Sequence, residues 1–149
     1  MAETPALPAT CPLCDGDGGR VVARDAALRI VLVDDDDYPG FARVVCNAHV
    51  AEMSDLDAAH RDRLMAVVCA VERAQRAVMR PQKVNVASLG NVVPHLHWHV
   101  IPRYADDAHF PQPIWGTRQR DVDRAVLDAR RARVPALAAA LQEILRETR

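Results

Sequence analysis

Pro94-His95-Leu96-His97-Trp98-His99-Val100-Ile101-Pro102-Arg103 is the stretch that decides how this chain reads. Three of its 6 histidines fall here, at alternate positions. In a strand, alternate side chains share one face. The alternation predicts a strand over 92–101, ended by Pro102. His95, His97 and His99 would line one face, and Leu96, Trp98 and Val100 would turn to the core. Three imidazoles in a row add little to stability. They suit a metal, or a nucleophile, an acid and phosphate hydrogen bonds near neutral pH. A surface strand with chance histidines is the bland alternative, and the apolar back face weighs against it.

The flanking sequence supplies the rest of a sheet and one long helix. Val84 and Val86 alternate with Asn85, which predicts a strand over 83–88, followed by the turn Leu89-Gly90-Asn91. Leu64, Val67, Val68, Val71, Ala74 and Val78 recur at helical spacing. They predict an amphipathic helix over 54–79, with Ser54 as N-cap and Pro81 as its stop. Shorter strands are expected over 20–23, 28–33 and 41–46. Asp34 to Asp37 read as a solvated turn that Tyr38-Pro39-Gly40 extends. Residues 103–115 read as irregular. Beyond them Val122, Ala125, Val126 and Ala129 suggest one helix face and Leu137, Leu141, Ile144 and Leu145 another. Pro135 between them kinks the helix or starts a second. This order predicts an α+β fold with a mostly antiparallel sheet.

The composition bounds the function. The chain has 149 residues, 50% hydrophobic and 26% charged, which suits one globular domain. Its net charge of −1 argues against a dedicated nucleic-acid binder. No 18-residue apolar run exists, so no membrane partner is expected. Residues 1–10 have no basic or apolar leader pattern and read as a disordered tail. The cytoplasm is therefore the expected compartment, with the 4 cysteines reduced. Cys46 and Cys69 lie in apolar strings and read as buried.

His95-Leu96-His97-Trp98-His99-Val100-Ile101 resembles the signature of the histidine triad (HIT) family of nucleotide hydrolases and transferases. Three neighbours strengthen the likeness, which is to the bacterial diadenosine-polyphosphate-hydrolase-like branch. Gly90-Asn91-Val92-Val93 stands where members carry Gly-Gln-Ser/Thr-Val. Tyr38-Pro39-Gly40-Phe41 resembles the family's Pro-Gly-His turn. Asn47-Ala48-His49-Val50 resembles the segment before the central helix. The resemblance implies a five-stranded sheet with one long helix, dimerising into a continuous ten-stranded sheet. It would place the family's domain at 11–117 and a helical extension at 118–149.

The resemblance also implies roles. His97 would attack the α-phosphorus of a dinucleoside polyphosphate, a nucleoside phosphoramidate or a related adenylated compound. A nucleotidyl-histidine would form and then be hydrolysed. His99 would donate to phosphate oxygens, and His95 would lie at the inner end of the row. Asp34 would meet the ribose hydroxyls, unless it is only a turn acid. Asn85 and Asn91 are candidate polar partners, and Trp115 resembles the family's tryptophan near the site, or is a core anchor. Two positions depart from the pattern: Val92 lacks the usual hydroxyl, and Phe41 replaces a histidine.

Cys11-Pro12-Leu13-Cys14 is a second motif. A redox pair needs a helix N-terminus directly behind it, which Asp15-Gly16-Asp17-Gly18-Gly19 does not suggest. Half a metal site and chance are the other readings, and half a zinc site is the stronger. His49 and His95 are the natural partners, since two cysteines and two histidines make a closed tetrahedral set. Related uridylyltransferases and some bacterial triad proteins bind zinc in this manner. His60 and His109 read as surface residues. A catalytically weak, zinc-stabilised nucleotide-binding module is the alternative to an enzyme, and the intact triad favours the enzyme. A metal hydrolase built on the row would need carboxylates that the strand does not supply.

Overall fold

One antiparallel sheet of five strands carries the molecule, in the spatial order Arg20–Arg24, Leu28–Leu32, Ala42–Cys46, His97–Arg103, Lys83–Ala87. The computed structural model describes residues 10–149, so the expected tail lies, but for Thr10, outside the described residues. The strands are β1 (Arg20–Arg24), β2 (Leu28–Leu32), β3 (Ala42–Cys46), β4 (Lys83–Ala87) and β5 (His97–Arg103). The helices are α1 (Pro12–Asp15), α2 (Ala58–Met79), α3 (Arg124–Arg131), α4 (Val134–Leu141) and α5 (Ile144–Glu147).

The pleat sorts the sheet into two faces. Ile30, Val44 and Trp98 stand opposite one another across β2, β3 and β5. With Leu28, Ala42, Cys46 and Val100 they join Leu64, Val67, Val68 and Val71 of α2 in one core. Leu137, Leu141, Ile144 and Leu145 complete it from α4 and α5. On the opposite face Arg43 pairs with His99, and Val45 with His97. Arg29 continues that row on β2.

Several boundaries differ from the sequence reading. The long helix begins at Ala58, where Asp57 is the N-cap and its carboxylate accepts from the His60 N–H at 2.8 Å. Ser54 lies instead in a single 3₁₀ turn, Met53–Asp55, closed by the Glu52 N–H on the Asp55 carboxylate. Arg80, at φ 52°, ends α2 in the left-handed region before Pro81. The triad strand starts at His97, not at residue 92. Its approach is bent because the His95 N–H turns back to the Val93 carbonyl at 2.8 Å. Pro102 is inside the strand. It faces Val84 of β4, and the β3 ladder has already ended at Ala42–Val100, so no β3 bond is lost to the missing N–H.

Pro135 starts a new helix, as the second residue of α4. The expected apolar face of α3 is not buried: Ala125 and Ala129 are exposed. Arg130 is the buried residue there, with its guanidinium 3.7 Å from the Tyr104 ring and 2.5 Å from the Asp106 carboxylate. Cys46 is buried as expected, but Cys69 is exposed on the outer side of α2. Among the described residues, no helix is long and apolar enough to cross a membrane.

Candidate functional site

Two of the three histidines share a face of β5, and the third serves a different cluster. His97 is buried, and its Nδ1 lies 2.5 Å from the His95 carbonyl oxygen. Only an Nδ1–H can donate there, so Nε2 carries the free lone pair. Burial lowers its pKa, which keeps the ring neutral at pH 7. The His99 ring stands edge-on to it, with centroids 4.8 Å apart. His99 Nδ1 accepts from Arg43 Nε at 3.4 Å, leaving Nε2–H as a donor. Burial first, then His97 and Arg43, push His99 down to about 4. The rings of Phe41 and Trp115 flank His99 at 5.6 and 5.0 Å.

His95 precedes the strand, so it does not complete the predicted row. Its Nε2–H donates to the Cys46 carbonyl at 2.7 Å. That bond leaves Nδ1 unprotonated, facing the Sγ atoms of Cys11 and Cys14 at 3.4 and 3.5 Å. His49 Nδ1 lies 3.2 Å from Cys14 Sγ, and all four donor atoms fall within 4.8 Å of one another. A tetrahedral cation with S and N ligands would set such edges at about 3.3–3.8 Å. The donor set and its carbonyl-anchored histidine fit a metal ion. The one-turn helix α1 brings Cys11, its N-cap, and Cys14 together, and so a helix does follow Cys11. Arg29 fixes this knuckle by donating to the carbonyls of Leu13 at 2.7 Å and Asp17 at 3.0 Å.

The other expected residues are spread around the triad. Asn85 lies on its face, with Oδ1 accepting from Arg103 Nη1 at 2.6 Å, so its amide N–H groups remain for a ligand. Trp115 is half exposed against His99 rather than a core anchor. Asn91 is exposed in a bend, and Val92 beside it is 91% exposed. Asp34 is exposed one residue beyond the Val33–Phe41 backbone bond. It lines an open cavity of about 570 Å³ with Arg20, Gly40 and Arg131, and none of the triad. His60 is exposed on Asp57, as expected. His109 is not a free surface residue, since its Nδ1 lies 2.6 Å from the Tyr38 hydroxyl.

Sequence reasoning missed Arg43, Arg103 and Asp107. The Arg103 guanidinium and the Asp107 carboxylate form a buried pair at 2.7 Å beneath Asn85 and Tyr38. A signal for Arg43 was present. It is a charged residue between Ala42 and Val44, hence on the face away from the core.

Comparisons with known proteins agree with this geometry. Residues 18–106 match the model of the HIT domain. A Mycobacterium tuberculosis protein called AP-4-A phosphorylase is 34% identical over 124 residues, covering 78% of this chain. The chain spans 64% of the length of that curated relative. A histidine triad protein from Bradyrhizobium japonicum superposes with a TM-score of 0.69 at 29% identity, covering 92% of this chain and 96% of its own. A Zn-bound histidine triad family protein from Mycobacterium smegmatis does so with a TM-score of 0.59 at 25% identity, covering 89% and 93%. With the domain matched over all five strands, and His97 and His99 on β5 with His95 just before it, the chain belongs to the HIT domain family.

Proposed function

We propose that the protein is a nucleotide hydrolase or nucleotidyl transferase working through a covalent nucleotidyl-His97 intermediate. The observation that carries this is the His97 Nδ1 bond to the His95 carbonyl, which leaves Nε2 as a fixed, unprotonated nucleophile beside the Nε2–H of His99. Nε2 attacks the α-phosphorus, the bond to the leaving group breaks, and the ring becomes a phosphorylated imidazolium. Its positive charge strengthens the Nδ1–H bond to the carbonyl. Water or another acceptor then attacks the phosphorus, releases the nucleotide and restores the neutral ring. The relative called AP-4-A phosphorylase favours a dinucleoside polyphosphate as substrate.

Asp34 would hold the ribose hydroxyls, Asn85 and Asn91 the polar groups of phosphate or leaving group, and Trp115 an apolar part of the ligand. The metal is proposed to be zinc, held by Cys11, Cys14, His49 and His95. Bound zinc supplies structure rather than chemistry, because four protein ligands leave no open position. The chain is proposed to act as a homodimer, with residues 118–149 an extension of the family's domain.

His97→Ala should abolish turnover of diadenosine tetraphosphate while AMP affinity stays within a few-fold, because only a transition-state partner is lost. Rapid acid quench of the parent should trap a nucleoside monophosphate on the peptide bearing His97. Full activity in His97→Ala overturns the mechanism.

A further inference from the structure

We propose that Arg43 supplies the positive charge at this site, binding the transferring phosphate and holding His99 in its donor tautomer. The inference rests on the reading of His97 given above. Arg43 pairs directly with His99 across β3 and β5, so its side chain rises on the triad's face. Nε donates to His99 Nδ1 at 3.4 Å, and Nη1 to the Gly18 carbonyl at 2.8 Å. The guanidinium lies 5.5 Å from the Phe41 ring centroid. Among the described residues, Nη2 has no hydrogen bond and no carboxylate pairs with this arginine.

That arrangement is costly unless an anion visits. Arg43 is half-buried, and a desolvated guanidinium without a carboxylate loses hydration that neutral acceptors only partly replace. Asp35 is the acid whose charge reaches it, but one oxygen of that carboxylate is taken by the N–H groups of Asp37 and Tyr38. The site also needs a cation. Nδ1 of His97 is spent on the His95 carbonyl and Nδ1 of His99 on Arg43, whose guanidinium is a permanent cation on the triad's face. Val92 offers no hydroxyl, and its side chain is in solvent. The other departure at the site belongs to the same substitution of parts: Phe41 gives the guanidinium an aromatic face. Arginine suits the task, since its planar fork can bond an imidazole on one edge and phosphate oxygens on another.

The test compares the parent, R43M, R43K and H97A on diadenosine tetraphosphate, with metal content and thermal melting measured for each. R43M should lower kcat about 100-fold, the size expected for one lost transition-state donor, and raise KM several-fold through the lost ground-state phosphate contact, with metal content unchanged. R43K should melt like the parent yet turn over at least tenfold more slowly, because one ammonium cannot serve both His99 and the phosphate. It therefore guards against a folding artefact in R43M. Parental kcat in either arginine variant, with H97A inactive, overturns the role of Arg43 and leaves the reading of His97 standing. Activity in H97A overturns that reading and this inference with it.

Discussion

Asp107 holds the floor of the site together, although no chemistry falls to it. Its carboxylate accepts from Arg103 Nε and Nη2, from the Tyr38 hydroxyl, and from the N–H groups of Tyr104, His109 and Phe110. Burial alone would raise its pKa, but Arg103 and the backbone N–H groups of Tyr104 and Phe110 outweigh it and hold the carboxyl down to about 2, below the ordinary carboxylate range. A carboxylate whose folded pKa is depressed stabilises the fold above its unfolded pKa, and the gain is lost as pH falls through the folded value. About 2 kcal/mol is therefore expected to disappear between roughly pH 4 and 2. Urea unfolding at pH 7, 4 and 2 should show the loss in the parent, and D107N, already destabilised at pH 7, should lack that component. Equal slopes in both proteins would remove Asp107 as the source. Sequence alone could not single out this residue. Asp106 and Asp107 are adjacent acids, yet their side chains are 59% and 1% exposed, a difference that only Arg103 and the loop around it create. His97 and His99 were legible because a two-residue period survives in any strand. His95 misled for the same reason: it keeps the spacing, but its backbone has left the ladder.

At the level of elements, the knuckle at α1 joins regions distant in sequence. Its cysteines meet His49, just after β3, and His95, just before β5. The four clustered residues were legible because a C-x₂-C pair invites two more donors, and two histidines complete a tetrahedral set. The one-turn helix itself was not, being too short for any periodicity. Cys11→Ser combined with Cys14→Ser should lose bound metal, lower the melting temperature and reduce turnover together. Turnover should suffer because the His95 carbonyl that orients His97 moves with the His95 ring. Elemental analysis, calorimetry and a kcat measurement check the three effects. Retained metal in the double variant would place the ion elsewhere. The long helix was legible in type and in its end, since Pro81 forbids continuation. Its start was not, because Ser54 and Asp57 are both good caps. The Glu52–Asp55 turn decides between them.

Across the whole molecule, the antiparallel sheet and its covering helices were readable from apolar periodicity, whereas strand order depends on pairings that no local pattern encodes. Assembly is the open quantity that β4 bears on. It is an edge strand, with Val86 36% and the following Leu89 55% exposed. Equilibrium sedimentation at micromolar concentration should give twice the chain mass, and a stable monomer there would exclude the ten-stranded dimer. The sheet's two faces have a further consequence for descent. Along β5, His97 and His99 are interleaved with Trp98 and Val100, which serve the core. Mutations that silence the reaction and mutations that dissolve the fold therefore lie one residue apart, yet stay almost independent. A gene drifting without selection for turnover can lose His97 or His99 and still encode a well-packed protein with an intact ligand pocket. Under the mechanism proposed above, one substitution separates a working site from an inert ligand pocket.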